Sequence, residues 1–171
     1  DKLLEELGGK HLMNHAAEVI TGVEALVRVA VCAAEKKEIS ERLIDRFVIA
    51  LNKKPKEGLG RSIAVGVDVA LKFKPDAIVF CMADMPFIEG WLLENLMLRL
   101  GGAGGADIVH CGGIEGGARP PTAFSAACFA ELQALEGDDG AKRVIGSGRH
   151  TVIGLNAPAP LLADVDTRDD L

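Results

Sequence analysis

At 171 residues and 18.0 kDa the chain has the length of one domain, and 49% hydrophobic against 26% charged residues is enough apolar side chain to build a core, which excludes an intrinsically disordered protein. Nineteen basic and 25 acidic residues leave a net charge of −6, so the basic face that a sequence-independent nucleic-acid binder needs is lacking. No apolar run reaches the roughly 20 residues of a membrane span, the opening "DKLLEELGGK" shows no signal-peptide pattern, and Cys32, Cys81, Cys111 and Cys128, without C-x-x-C spacing, read as reduced and buried thiols of a cytoplasmic protein.

The first element follows the Gly-Gly of "ELGGKHLMNHAAEVI", where Leu12, His15, Ala16, Val19 and Ile20 recur at helical spacing and predict a loop feeding a helix. "ALVRVAVCA" (25–33) predicts a strand, "EKKEISERLID" an exposed helix, and "RFVIALN" a second strand ending at Asn52. "KKPKEGLG" reads as a surface loop, and a helix is expected from Ser62 to about Leu71. "DAIVFCMAD" is apolar without alternation, as in a central strand buried on both faces, and Pro86 forbids its continuation. A helix over 88–100 precedes the glycines of "GGAGGAD". The remaining expectations are a strand "DIVHCGG", a loop "IEGGARPP", a short "TAFS", a helix from Ala126 to Leu135, a short helix in "GDDGAKRVIGSG", and strands "TVIGLN" and "LLADVD". This alternation predicts an α/β domain with a mostly parallel sheet and helices on both faces.

Ligands of such sheets bind beyond the carboxyl ends of the strands, where Asp84 falls; an Asp ahead of a proline also initiates turns, so both readings stand. Asp164 and Asp166 alternate on one face of the last strand and, joined to Asp84, would suit a hard cation such as Mg²⁺. Lys2 and Lys10 lead into the first helix, a position that suits phosphate. "GLGRS" offers a flexible loop with a hydroxyl, Ser62, which reads either as ligand-facing or as the cap of the next helix. It is no P-loop, and "GGAGGAD" follows a helix where a dinucleotide fingerprint must follow a strand. His11 and His15, four apart with no acidic third ligand nearby, read as a half-buried helix face rather than a metal site.

Taken in order, the segments resemble the MobA-like nucleotidyltransferases, and most closely the molybdenum cofactor cytidylyltransferases. "DKLLEELGGKHLMNH" is similar to their K-[LF]-L-x-x-x-x-G-K-P-L-x-x-H, "NKKPKEGLGRSIAVGV" to N-x(n)-G-[ML]-x-x-S-[IL]-x-x-G-V, and "MADMPFI" to G-D-M-P-[FL]-[VI]. "GARPPTAFS" resembles a degenerate R-G-[HN]-P-V-x-F, "GDDGAKRVI" resembles G-D-x-G-A-[RK], and "DVDTRDDL" resembles D-[IV]-D-T-P-E-D-L. The resemblance implies a three-layer, Rossmann-like sheet of the glycosyltransferase-A type. It also implies transfer of a nucleotidyl group, cytidylyl first, from an NTP to a phosphate of a molybdopterin-type acceptor, with passing contact to a molybdoenzyme.

Under that resemblance Lys2 would sit on the triphosphate, Asn52, Gly58 and Ser62 would line the nucleotide site, and Asp84 and Asp166 would be the Mg²⁺ ligands. Arg119 and Pro121 would face the acceptor; Arg119 and Pro120 stand where Gly and His or Asn are usual, which leaves acceptor identity open. Another phosphorylated acceptor such as a sugar phosphate, or a catalytically silent nucleotide-binding partner in molybdoenzyme maturation, is the alternative. The family's opening L-A-A-G-x-[SG]-x-R-M-G does not occur in the chain. The single domain over 1–171 is therefore expected to lack its first strand and phosphate loop, and a C-terminal helix.

Overall fold

The computed structural model describes residues 1–101, 105–112 and 117–165. A 3-10 turn over Lys2–Leu4 opens the chain, capped by the Asp1 carboxylate, which accepts from Leu3 N at 3.1 Å. The Gly-Gly of the sequence is the tip of a small antiparallel hairpin, β1 (Glu6–Leu7) with β2 (Lys10–His11). Gly8 and Gly9 have φ of 60° and 81°, a conformation that side chains resist. Helix α1 (Leu12–Gly22) follows, then β3 (Val29–Ala33), α2 (Lys37–Leu43), β4 (Val48–Asn52) and α3 (Leu59–Ala70). The second half contains β5 (Ala77–Phe80), α4 (Gly90–Leu98), β6 (Ile108–Cys111), β7 (Arg119–Ser125), α5 (Phe129–Gln133), α6 (Lys142–Ile145) and β8 (Val152–Leu155).

Strands β3 and β4 pair in parallel, and a four-stranded sheet has the order β5-β7-β6-β8. Within it β8 runs parallel to β6, while β7 runs antiparallel to both β5 and β6, which therefore point the same way. Alternation along β6 divides the core. Val109 and Cys111 face a cluster with Leu92 and Leu96 of α4 and Ala16 of α1. Ile108 faces Ile63 and Val67 of α3 and Leu132 of α5. A third cluster joins Met13 and Ala17 of α1 to Cys32 of β3 and Ile39 of α2. Helices thus cover both faces, as expected of apolar strands that leave no face for water. Helix α3 lies so close to β3 that a Cβ on Gly66 would stand 2.8 Å from Val31 Cγ2. Among the described residues no helix is long and apolar enough to cross a membrane.

Five local expectations are corrected. The expected loop "IEGGARPP" gives way at Arg119 to β7, which takes in both prolines before "TAFS". Ser62 does not cap α3: the helix starts at Leu59 with Gly58 in the cap position at φ 97°, and Ser62 stands inside its first turn. The described part of "LLADVD", 161–165, is not a strand, because Pro158 and Pro160 bend the chain into a 3-10 turn over Ala159–Leu162 and 163–165 join no ladder among the described residues. Strand β5 stops at Phe80, so Asp84 lies in the turn beyond the strand rather than on its last residue. His11 belongs to β2 and only His15 lies within α1, so the pair does not share a helix face.

Candidate functional site

Beyond the carboxyl end of β5 the apolar run gives way to a turn that aims Asp84 back at the first residues of the chain. Lys2 Nζ donates to Asp84 Oδ2 at 2.8 Å and to the carbonyl of Val165 at 3.0 Å. Val165 N in turn donates to the Asp84 carbonyl at 2.9 Å. Three segments far apart in sequence therefore meet at one carboxylate. The Asp84 side chain is 15% exposed and that of Lys2 36%. Asp84 Oδ1 is buried and has no hydrogen-bond partner among the described residues. A buried acceptor without a donor is costly, and a second oxygen already neutralised by an ammonium leaves Oδ1 as a ready ligand for a hard cation. Asp166 lies outside the described residues. Among the described residues no three His, Cys, Asp or Glu side chains gather as a complete metal cage.

A second group forms at the ends of β4 and α3. Asn52 is 1% exposed; its Nδ2 donates to Ser62 Oγ at 3.0 Å and its Oδ1 accepts from Lys54 N at 2.9 Å. The amide is thereby fully oriented, and the Ser62 hydroxyl, used here as an acceptor, keeps its proton to give. Gly58 and Gly60 lie against the backbone of 136–138. A Cβ on Gly58 would meet Gly137 C at 2.4 Å, one on Gly60 would meet Glu136 O at 2.8 Å, and Gly60 N donates to Gly137 O at 2.8 Å. Only glycine permits that approach. The "GLG" loop and the "EGDD" loop are thus one unit, which neither segment reveals alone.

The two groups occupy the same edge of the molecule. Ala34 N donates to the Asn52 carbonyl at 2.9 Å, and Lys36, two residues on, forms an ion pair with Asp1, the neighbour of Lys2. Arg119 is tied in from the other side, its Nη2 donating to the Leu162 carbonyl at 3.0 Å, three residues ahead of Val165. Pro121 is buried, in a cis Pro120-Pro121 unit within β7. An open depression of about 330 Å³ lies not over Asp84 but beside the β3 and β4 ends, lined by Glu35, Lys53, Lys54, Pro55, Lys56 and Glu57. Being open and lined by solvated charges, it identifies no reacting group.

Structure therefore joins Lys2 to Asp84 and, separately, Asn52 to Ser62 beside Gly58. It places Arg119 on the backbone that leads to Val165. Sequence reasoning missed Val165, whose contribution is a backbone carbonyl and amide and so has no residue-type signature. It also missed Asp1, although an Asp just ahead of a helical turn is a recognisable capping signal.

Residues 1–152 match the MobA-like NTP transferase domain. The chain is 30% identical over 132 residues to the purine catabolism protein PucB of Bacillus subtilis, covering 73% of this chain and 60% of that protein, so the match spans about three fifths of the relative's length. The fold is shared with the nucleotidyl transferase Mth528 of Methanothermobacter, with TM-score 0.81 and 20% identity over 99% of this chain and 81% of that one. It is shared also with the manganese complex of Rv0371c from Mycobacterium tuberculosis H37Rv, with TM-score 0.77 and 21% identity over 99% and 88%. The chain belongs to the MobA-like NTP transferase family.

Proposed function

We propose that the protein transfers a nucleotidyl group, cytidylyl first, from an NTP to the phosphate of a molybdopterin-type acceptor and releases pyrophosphate. The observation that carries this reading is the buried Oδ1 of Asp84, without a partner among the described residues, beside the Lys2 ammonium. Membership in an NTP transferase family supports the nucleotide, and the manganese complex of Rv0371c supports use of a divalent cation. The "GDDGAKR" and "SIAVGV" segments favour CTP by their likeness to the cytidylyl branch.

Attacking phosphate and α-phosphate are both anions, so the site has to neutralise charge and hold the two in line. Asp84, with Asp166, would hold Mg²⁺. When bound, the ion supplies a Lewis acid to the phosphate oxygens. Lys2, already held on Oδ2, brings a second positive charge to the leaving pyrophosphate without a proton transfer. Asn52 fixes Ser62 so that its hydroxyl can donate to the nucleotide, and the glycines at 58 and 60 keep that wall rigid against 136–138. Arg119 holds the segment 162–165 over Asp84 and so shapes the acceptor side.

The proposed domain also includes a strand and an amide-lined phosphate loop outside residues 1–171. In support, β3 pairs only with β4 and β5 only with β7 among the described residues, which leaves one open edge on each. Helices α1 and α3 both contribute to the core on β3 or its neighbour and to the core on β5, so they roof the interval between the two edges.

Asp84→Ala should lower pyrophosphate release from CTP with molybdopterin by about 10²-fold or more, with an unchanged circular-dichroism spectrum. Undiminished release would refute the assignment. Release with a sugar phosphate and none with molybdopterin would move the acceptor and keep the mechanism.

A further inference from the structure

The segment that carries Lys2 is too short to hold itself. Its 3-10 turn is closed by two backbone bonds, Leu4 N to the Asp1 carbonyl at 2.9 Å and Glu5 N to the Lys2 carbonyl at 3.1 Å. Such single turns are marginal without outside support. The support comes from α1 and the residue before it. His11 Nδ1 donates to the Leu4 carbonyl at 2.6 Å, Leu12 N to the Glu5 carbonyl at 2.9 Å, and His15 Nε2 to the Leu7 carbonyl at 3.0 Å. A carbonyl only accepts, so Nδ1 of His11 and Nε2 of His15 each carry the proton, and the two rings use opposite nitrogens. Leu3 and Leu4 pack on the same α1–β3 cluster that contains Met13 and Ala17, so α1 anchors the turn through both its backbone carbonyls and its apolar side chains.

We propose that His11 and His15 are positioning residues for Lys2: by clamping the carbonyls of Leu4 and Leu7 they hold the turn from which the Lys2 ammonium reaches Asp84. The inference rests on the reading of Lys2 as the group on the triphosphate. It gives each histidine of the pair a role in holding backbone, through the one ring nitrogen that donates to a carbonyl.

The two nitrogens allow a specific test. An asparagine amide nitrogen stands where Nδ1 of histidine does, and a glutamine amide nitrogen where Nε2 does. On the full chain, with affinity for CTP and Mg²⁺ read by titration calorimetry, His11→Ala and His15→Ala should each weaken binding about tenfold, the effect of one lost charge-orienting hydrogen bond. His11→Asn and His15→Gln should stay close to the parent, and the mismatched His11→Gln and His15→Asn should behave like the alanine variants. In a Lys2→Ala background the further change His15→Ala should do nothing more, because its effect passes through Lys2. Effects of Lys2→Ala and His15→Ala that multiply, or matched and mismatched amides that behave alike, would overturn the proposal while leaving Lys2 on the nucleotide. A Lys2→Ala variant that binds CTP normally would remove both. If the alanine variants fail to fold, the matched and mismatched amides still decide.

Discussion

Asp84 is unusual because its two oxygens have different fates. Oδ2 faces an ammonium, and Oδ1 is shut away from water with no donor among the described residues. Burial without a partner is normally selected against, which is the ground for proposing a cation at Oδ1. The cysteines illustrate the opposite case. Desolvation, aided by the neighbouring Cys111 thiol, pushes Cys81 up to about 12; burial alone does the same for Cys111 and raises Cys32 above its ordinary value, while burial with the nearby Asp107 and Glu131 carboxylates raises Cys128 to about 11. All four are free thiols that stay protonated at neutral pH, and the thiolate is the reactive form. The expected outcome is that an aromatic disulfide reagent at pH 7.5 labels the native protein far more slowly than the protein in denaturant; equal rates would contradict the buried placement. That agrees with the sequence reading of scattered cysteines as structural. The sequence reading of Asp84 favoured a site and kept a turn as the alternative; the structure places it in a turn and adds the Lys2 contact from 82 residues away.

Between elements, side chains far from the site tie the sheet to its helices. Glu131 on α5 accepts from His150 Nε2 at 2.9 Å and from Arg149 Nη2 at 2.6 Å, both in the approach to β8. The hydrogen bond from His150 is the largest influence and holds the Glu131 carboxyl below its ordinary value of 4.5; desolvation, second in size, opposes it, and the Arg149 bond adds to the lowering. A depressed carboxyl stabilises the fold above its unfolded pKa and loses that contribution as pH falls through the folded one. Glu131→Gln should therefore lower the melting temperature at pH 7, and the gap to the parent should close as pH drops below about 4. A gap that stays constant down to pH 3 would refute the linkage. Element types and order were legible because hydrophobic period and glycine or proline punctuation are local, as in α3, α4 and β6. Failures fell where a local rule met a tertiary contact. Ser62 looks like a cap by composition, yet Asn52 uses its hydroxyl and Gly58 takes the cap because Gly137 lies too close for a side chain.

For the molecule as a whole, the division into a β3–β4 pair and a β5-β7-β6-β8 sheet is the largest unresolved tension in the fold. Open edges expose unpaired amides and invite further pairing. In hydrogen exchange the outward amides of β3 and β5 should exchange much faster than those of β6 and β7, which are paired on both sides. In a protein extended by a strand and glycine-rich loop ahead of Asp1 the β3 and β5 amides should become protected. Edges that stay fast in the extended protein would show that the added strand does not enter there.

By itself the sequence determined the class of fold, the order of its elements and, through ordered blocks from "DKLLEELGGKHLMNH" to "DVDTRDDL", the resemblance that the family match on residues 1–152 bears out. These are properties of residue type and spacing, which a chain displays before it folds. Only the tertiary structure decided that Lys2, Asp84 and Val165 converge, that "GLG" rests on "EGDD", and that two histidines hold backbone carbonyls. Those facts depend on contacts to backbone atoms and across long separations in sequence. Every residue has the same backbone carbonyl, so neither its identity nor its neighbours in sequence announce which side chain will find it.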